Sequence, residues 1–161
     1  MPARTSTVTS STRIANLALA LATAAFLARA AHSGSQGAGA DADDFITGGG
    51  WIDETPNANR ADFGFKVGVD HAGDFAGQLN YVDRRADVHL KAESITSYIA
   101  IDAVTREFTG TARINGESGF TFTVTVSDVD EPGTADSFEI AVSSGYAAGG
   151  VLEGGNIQLH D

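Results

Sequence analysis

The sequence predicts an all-β domain, an antiparallel β-sandwich or flattened β-barrel of about eight to nine short strands. Apolar residues recur at every second position from Phe45 onward, which is typical of half-buried strands, and helical periodicity is absent from this part. The gaps between the alternating runs are too short for crossover helices, which favours antiparallel neighbours. The 19 glycines against 3 prolines add many tight turns to this pattern.

Two stretches carry the clearest alternation, residues 63–69 and 120–126. Each reads F-x-F-x-V-x-V, with phenylalanine and valine at alternate positions. The pattern predicts two equivalent central strands whose apolar side chains lie in the core. The other predicted strands are 75–82, 88–93, 95–101, 107–114, 137–142 and 155–160.

The residues between the strands predict where the chain turns. Asn115-Gly116 lies between two alternating runs and predicts a two-residue hairpin, because a type I′ turn needs positive φ at both positions. Residues 71–74 join two further strands, and Glu131-Pro132-Gly133 supplies turn residues before the strand at 137–142. Glycine-rich segments at 47–52 and 149–160 predict that the first and last strands pair closely.

The first 30 residues predict a signal peptide. Arg13 precedes an apolar run at 14–28, which is too short to span a bilayer comfortably, and Ala28-Arg29-Ala30 supplies small residues for cleavage before Ala31. Residues 31–44 then predict a flexible acidic leader, in which Asp41, Asp43 and Asp44 act as a solubilising tail. Residues 45–161 form the single β-domain, and the protein is expected to be secreted.

Charge and composition exclude several function classes. The formal charge is −11, and removal of residues 1–30 takes away three arginines and no acid, so the mature chain carries −14. Such a surface repels nucleic-acid phosphates and anionic lipid, so we expect no nucleic-acid partner and no membrane association after cleavage. The absence of cysteine excludes disulfide scaffolds and thiol chemistry.

The densest acidic cluster lies in the segment 128–136. Carboxylates at Asp128, Asp130, Glu131 and Asp136 are hard oxygen ligands of the kind that Ca²⁺ prefers, although their spacing is not that of an EF-hand. The sequence therefore gives these four residues as a calcium candidate, with no other cofactor. In the alternative interpretation, the aspartates cap turns by accepting hydrogen bonds from main-chain N–H groups.

No motif predicts an enzyme. The chain lacks a G-x-S-x-G sequence, and its four histidines are widely separated. A carboxylate-based hydrolase stays open as an alternative, because acids on different strands can converge in space. Trp51, Tyr81, Tyr98 and Tyr146 are amphipathic and form a possible sugar-stacking platform, with burial in the core as the other interpretation.

Seven strings resemble, in order, a known bacterial family. They are T-G-G-G-W-I at 47–52, A-D-F-G-F at 61–65, G-Q-L-N-Y-V at 77–82, T-G-T-A-R-I-N-G at 109–116, F-T-F-T-V-T-V-S-D at 120–128, E-P-G-T-A-D-S-F-E-I at 131–140 and G-G-V-L-E-G-G-N-I-Q-L-H at 149–160. Together they resemble the accessory β-domain of secreted, surface-associated bacterial proteins, often found behind choice-of-anchor domains.

This resemblance implies a module without established enzymatic activity. We therefore expect a secreted, non-enzymatic β-domain with an extracellular interaction or structural role, whose partner is an unknown protein or glycan. The alternative is a calcium-assisted barrel that binds a glycan or a small ligand. A filled interior would favour the first function and an internal pocket the second.

Overall fold

A computed structural model describes residues 44–160, all within the compact unit Gln36–Asp161. The predicted signal peptide, and the predicted leader apart from Asp44, lie outside the described residues. Residues 44–160 contain no helix, so none that could cross a membrane. Nine strands form this part of the chain: β1 Phe45–Ile52, β2 Ala61–Val69, β3 Phe75–Asp83, β4 Val88–Ala100, β5 Thr105–Ile114, β6 Glu117–Ser127, β7 Ser137–Val142, β8 Ala147–Val151 and β9 Gly154–His160.

All nine strands belong to one antiparallel sheet, which confirms the predicted fold class. The order is β8-β7-β6-β5-β4-β3-β2-β1-β9, so consecutive strands pair from β1 to β8, and β9 returns to pair with β1. Chain direction alternates, and the loops therefore lie at two ends. The entry end, where β1 begins, carries loops 70–74, 101–104 and 128–136. The far end carries loops 53–60, 84–87, 115–116 and 143–146.

The sheet curls so that its inner face packs against itself. Phe63 on β2 and Phe138 on β7 are separated by four strands in the sheet order, yet their rings stack with centroids 4.1 Å apart. Tyr81, opposite Phe63 on the neighbouring strand, also stacks with Phe138, with centroids 5.9 Å apart. The inward residues of alternate positions form one continuous core, which includes both predicted F-x-F-x-V-x-V strands except Val69 and Phe120, which are only partly buried.

Two details of the strands differ from the prediction. The predicted strands 88–93 and 95–101 are one strand, β4, whose pairing with β5 shifts register between Ala92 and Ser94 and again between Ile95 and Ser97. Such bulges break the two-residue alternation without ending the strand. In addition, the glycine-rich closing segment contributes two strands, because β8 ends at Val151 before β9 begins.

The predicted pairing of the first and last strands is confirmed. Gly50 lies opposite Gly155, and a Cβ on Gly155 would approach the carbonyl oxygen of Gly49 to 2.1 Å. Gly155 also has a φ of +115°, where other residues are strained. Glycine at these positions therefore permits close contact between the two backbones.

The Asn115-Gly116 hairpin is also confirmed, with φ of +52° at Asn115 and +91° at Gly116. We expect Gly116→Val to lower the free energy of unfolding by about 1–2 kcal/mol, because a β-branched residue resists positive φ. The site is sterically open, since a Cβ added at Gly116 would have no atom within 4 Å, so the cost arises in the backbone alone.

Gly64→Val is the matched control, since Gly64 is equally open but lies in an extended strand. It should leave stability unchanged or raise it slightly, because valine favours strands. Chemical denaturation of both variants makes the comparison. Equal losses in the two variants would contradict the role assigned to positive φ.

Candidate functional site

The acidic loop 128–136 follows β6 and lies beside the outer edge of β9. The Asp136 side chain is completely buried, and its two carboxylate oxygens accept hydrogen bonds from the main-chain N–H groups of Val129, at 2.9 Å, and Ile157, at 2.8 Å. Asp128 accepts the N–H of Leu159 in the same way, at 2.8 Å. Two members of the predicted calcium cluster thus satisfy N–H groups of β9, an edge strand.

The other two members have different partners. Asp130 accepts hydrogen bonds within the loop, from the N–H of Ala135 at 3.1 Å and the hydroxyl of Thr134 at 3.1 Å. Glu131 is exposed and accepts a long hydrogen bond from the side-chain amide of Asn156, at 3.3 Å. Within residues 44–160 no three His, Cys, Asp or Glu side chains are arranged to hold a metal ion. Calcium binding here stays a prediction.

One neutral oxygen beside this loop is compatible with a cation. Asn156 Oδ1 is the single buried side-chain polar atom of the described part without a hydrogen-bond partner. A Cβ placed on Gly133 would lie 2.4 Å from this oxygen and 2.9 Å from Asp136 Oδ2, so both oxygens face Gly133. Amide and carboxylate oxygens are suitable calcium ligands, but these two alone do not complete a site that needs six to eight.

A buried ion pair closes the entry end of the curled sheet. Asp44, just before β1, accepts a hydrogen bond from the hydroxyl of Tyr98 at 2.6 Å and pairs with the guanidinium of Arg106 at 2.9 Å. These three residues are 5%, 2% and 5% exposed. The guanidinium also donates to the carbonyl oxygens of Asp102 and Thr105, so the buried charges are well partnered. We call Asp44, Tyr98 and Arg106 the entry plug.

The assignment of Asp44 to the solubilising leader is therefore wrong. In sequence it follows two other acidic positions, and nothing local distinguishes it from them. Its partners lie on β4 and β5, 54 and 62 positions away, and only the curl of the sheet brings them to it.

A second hydrogen-bonded group closes the far end. Tyr146 donates to Asp83 at 2.9 Å, and the hydroxyls of Tyr81 and Tyr146 are 2.6 Å apart, so Tyr81 donates to Tyr146. Asp83 is completely buried and also accepts the main-chain N–H groups of Arg85 and Ala86. We call Tyr81, Asp83 and Tyr146 the far plug.

The predicted sugar-stacking platform is wrong. Its three tyrosines are divided between the two plugs, and Trp51 lies under the guanidinium of Arg60, 4.8 Å from its ring centroid. The four side chains do not form one platform, because Tyr98 lies at the entry end, Tyr81 and Tyr146 lie at the far end, and Trp51 lies at an outward position of β1. Period-two alternation in the sequence supports the other interpretation, burial in the core, because it places Tyr81 on the buried face of its strand.

An open groove of about 630 Å³ lies on the outer surface near the entry end. Its lining includes Phe45, Lys66, Asp70, His71 and Gln78. The Phe45 ring stacks on His160, with centroids 4.3 Å apart, and Lys66 Nζ lies 4.8 Å from the same ring. The groove offers mixed apolar and charged contacts, whereas the space inside the sheet is occupied by the core.

Comparison with protein-family models, curated proteins and solved structures found no match to this chain. The resemblance to the accessory β-domain therefore rests on the seven sequence strings and stays a prediction.

We predict that Asp136→Ala lowers the free energy of unfolding by at least about 2 kcal/mol. The substitution leaves the N–H groups of Val129 and Ile157 without their acceptor, and each unsatisfied buried group costs about 1–3 kcal/mol. Glu131→Ala is the control within the same loop, because Glu131 is exposed and should have little effect. Denaturant titration measures both.

Melts in millimolar calcium and in chelator complete this experiment. A bound ion would stabilise the folded protein by about 2.7 kcal/mol at a hundredfold excess over its dissociation constant. Superimposable melts of the parent protein would leave main-chain capping as the role of these carboxylates. A calcium-dependent shift that Asp130→Asn abolishes would instead establish the cation site.

All three tyrosines of the chain belong to the plugs, which predicts unusual behaviour at alkaline pH. Burial raises the pKa of Tyr81 to about 12. Burial first, and then hydrogen bonding to Asp44 and to Tyr81 respectively, raises the pKa of Tyr98 and of Tyr146 above the ordinary 10.0.

Because the folded-state pKa of Tyr81 lies above its unfolded value, the neutral phenol stabilises the fold fully below about pH 10. This contribution is lost as the pH rises from 10 towards 12. We expect tyrosinate absorbance to rise only as the protein unfolds, when followed together with circular dichroism. A tyrosine that titrates reversibly near pH 10 in the folded protein would contradict the assignment of the plugs.

Proposed function

We propose that this chain is an exported, non-enzymatic β-domain that acts outside the cell by presenting its outer surface to a partner. The observation that carries the proposal is the packed interior of the sheet, with a hydrogen-bonded plug at each end. A domain filled in this way offers its ligands loops and outer strand faces rather than an internal chamber. The apolar run before Ala28-Arg29-Ala30 supports export.

The positions of the buried carboxylates support a non-enzymatic role. Asp44, Asp83 and Asp136 are each at most 5% exposed, and burial of an acid is a common mark of a catalytic site. Here each carboxylate accepts hydrogen bonds from main-chain N–H groups, a tyrosine hydroxyl or an arginine. These contacts account for the burial by structure alone.

The alternative is a calcium-assisted domain that binds a glycan or a small ligand. It is favoured by the open groove near the entry end and by Asn156 Oδ1, which has no hydrogen-bond partner. Against it, Phe45 and Trp51 already contact His160, Lys66 or Arg60, and the three tyrosines belong to the plugs, which leaves Phe75 as the one strongly exposed ring of residues 44–160. We therefore rank surface interaction with a protein first.

Two measurements test the proposal. N-terminal sequencing of the protein from culture supernatant should give Ala31, and an intact Met1 confined to the cytoplasm would overturn the proposed export. A glycan array, probed with and without calcium, should give no specific binding. Calcium-dependent binding of one glycan class, lost in Asp130→Asn, would replace the proposal with the alternative.

A further inference from the structure

The exposed large apolar side chains are concentrated at one end of the molecule. Of residues 44–160, five such side chains are more than 40% exposed, and four of them lie at the entry end: Phe75, Ile101, Val104 and Val129. The fifth, Val151, lies close to Trp51 and Glu54 at the far end of β1. Single exposed apolar residues are ordinary on protein surfaces. Their collection at one end of a domain is unusual and is typical of an interaction surface.

Three of the five lie on two neighbouring loops. Ile101 and Val104 belong to loop 101–104, and Val129 belongs to loop 128–136. The two loops are joined by a hydrogen bond from the N–H of Asp128 to the carbonyl oxygen of Val104, at 2.9 Å. We call Ile101, Val104 and Val129 the aliphatic patch, which is 41–54% exposed.

The loops that carry the patch are held in place by hydrogen bonds. Asp102 accepts the N–H groups of Val104, at 2.9 Å, and of Thr105, at 2.8 Å. Asp136 accepts the N–H of Val129, and the entry plug lies directly behind, because Arg106 donates to the carbonyl oxygen of Asp102. A preorganised surface of this kind loses little conformational entropy when it binds.

The charge around the patch determines the chemistry of its partner. The three entry-end loops contain seven acidic residues and no lysine or arginine: Asp70, Asp74, Asp102, Asp128, Asp130, Glu131 and Asp136. The far-end loops contain three acids, Asp53, Glu54 and Asp87, together with three arginines, Arg60, Arg84 and Arg85. Asp136 is buried, and the other six carboxylates give the entry-end loops a net negative surface charge, whereas the charges of the far-end loops balance.

We propose that the aliphatic patch and the acidic residues of its two loops form a docking surface for a basic segment of a partner protein, one that places lysine or arginine beside aliphatic side chains. This inference rests on the proposed function and specifies its partner. The apolar side chains supply buried area, while the carboxylates select and orient a cationic partner and reject acidic ones. A second copy of this chain and an anionic membrane both carry the charge that this surface repels.

Binding of a labelled peptide, measured by fluorescence anisotropy, tests the proposal. The protein is used in its naturally processed form. The probe is a labelled peptide of alternating lysine and leucine. Two matched peptides replace either every lysine by glutamine or every leucine by serine. We expect the parent peptide to bind and both replacements to weaken binding by about tenfold or more. Binding of the parent peptide should also weaken as the salt concentration rises towards about 0.5 M, since exposed charges are then screened.

Variants of the protein locate the surface. Val129→Ser and Ile101→Ser should each weaken peptide binding by at least about fivefold. Val151→Ser is the matched control, because Val151 is 52% exposed against 54% for Val129 but lies on β8, outside both loops, and it should have no effect. Glu131→Gln should weaken binding, whereas Glu54→Gln at the far end should not. All these side chains are exposed, so each variant should keep the parent melting temperature.

Several outcomes would overturn the proposal. These are equal effects of Val129→Ser and Val151→Ser, no binding of the lysine–leucine peptide, concentration-dependent self-association through the patch, or binding to neutral phosphatidylcholine vesicles. Failure here is distinct from failure of the proposed function. An exported protein that binds neither the peptide nor any glycan would refute this surface alone, whereas a protein that retains Met1 in the cytoplasm would refute the proposed function whatever the peptides do.

Discussion

A single sheet that curls on itself must close two ends and two edges before its interior can exclude water. Unpaired main-chain N–H and C=O groups at these boundaries would otherwise lie next to an apolar core, at a cost comparable to a lost hydrogen bond each. The contact of Phe63 with Phe138, from strands far apart in the sheet, shows how completely the curl brings the inner face together. Most other structural features of the domain follow from this closure.

Aspartate closes three of these four boundaries, the two ends and the β9 edge. Asp44 anchors the entry plug, Asp83 anchors the far plug, and Asp128 with Asp136 covers N–H groups along β9. An ionised carboxylate suits these positions because it accepts several hydrogen bonds at once, and those to charged acceptors are the stronger ones. The acidic composition is therefore partly structural, and only the exposed carboxylates contribute to the surface field that we assign to partner recognition.

The neighbouring segments also help to cover the edges. The N–H of Gly149 on β8 donates to the carbonyl oxygen of Glu54, and that of Glu153 donates to Trp51. These bonds and the carboxylate caps occupy main-chain groups at both edges, where another strand would otherwise add. Recognition through the loops of the entry end is consistent with that arrangement, since addition of a partner strand would require the caps to be displaced first.

The sequence by itself determined the strand class, most strand positions and the Asn115-Gly116 turn, because period-two alternation and positive-φ turn residues are local properties. It also placed the carboxylates of loop 128–136 together, but two chemical roles fitted the same residues. Only the tertiary structure decided that Asp136 caps Ile157, that Asp44 pairs with Arg106 and that the tyrosines are divided between two plugs. These partners lie 21 to 63 positions apart in the chain. No local pattern encodes such contacts, because the curl of the whole sheet creates them.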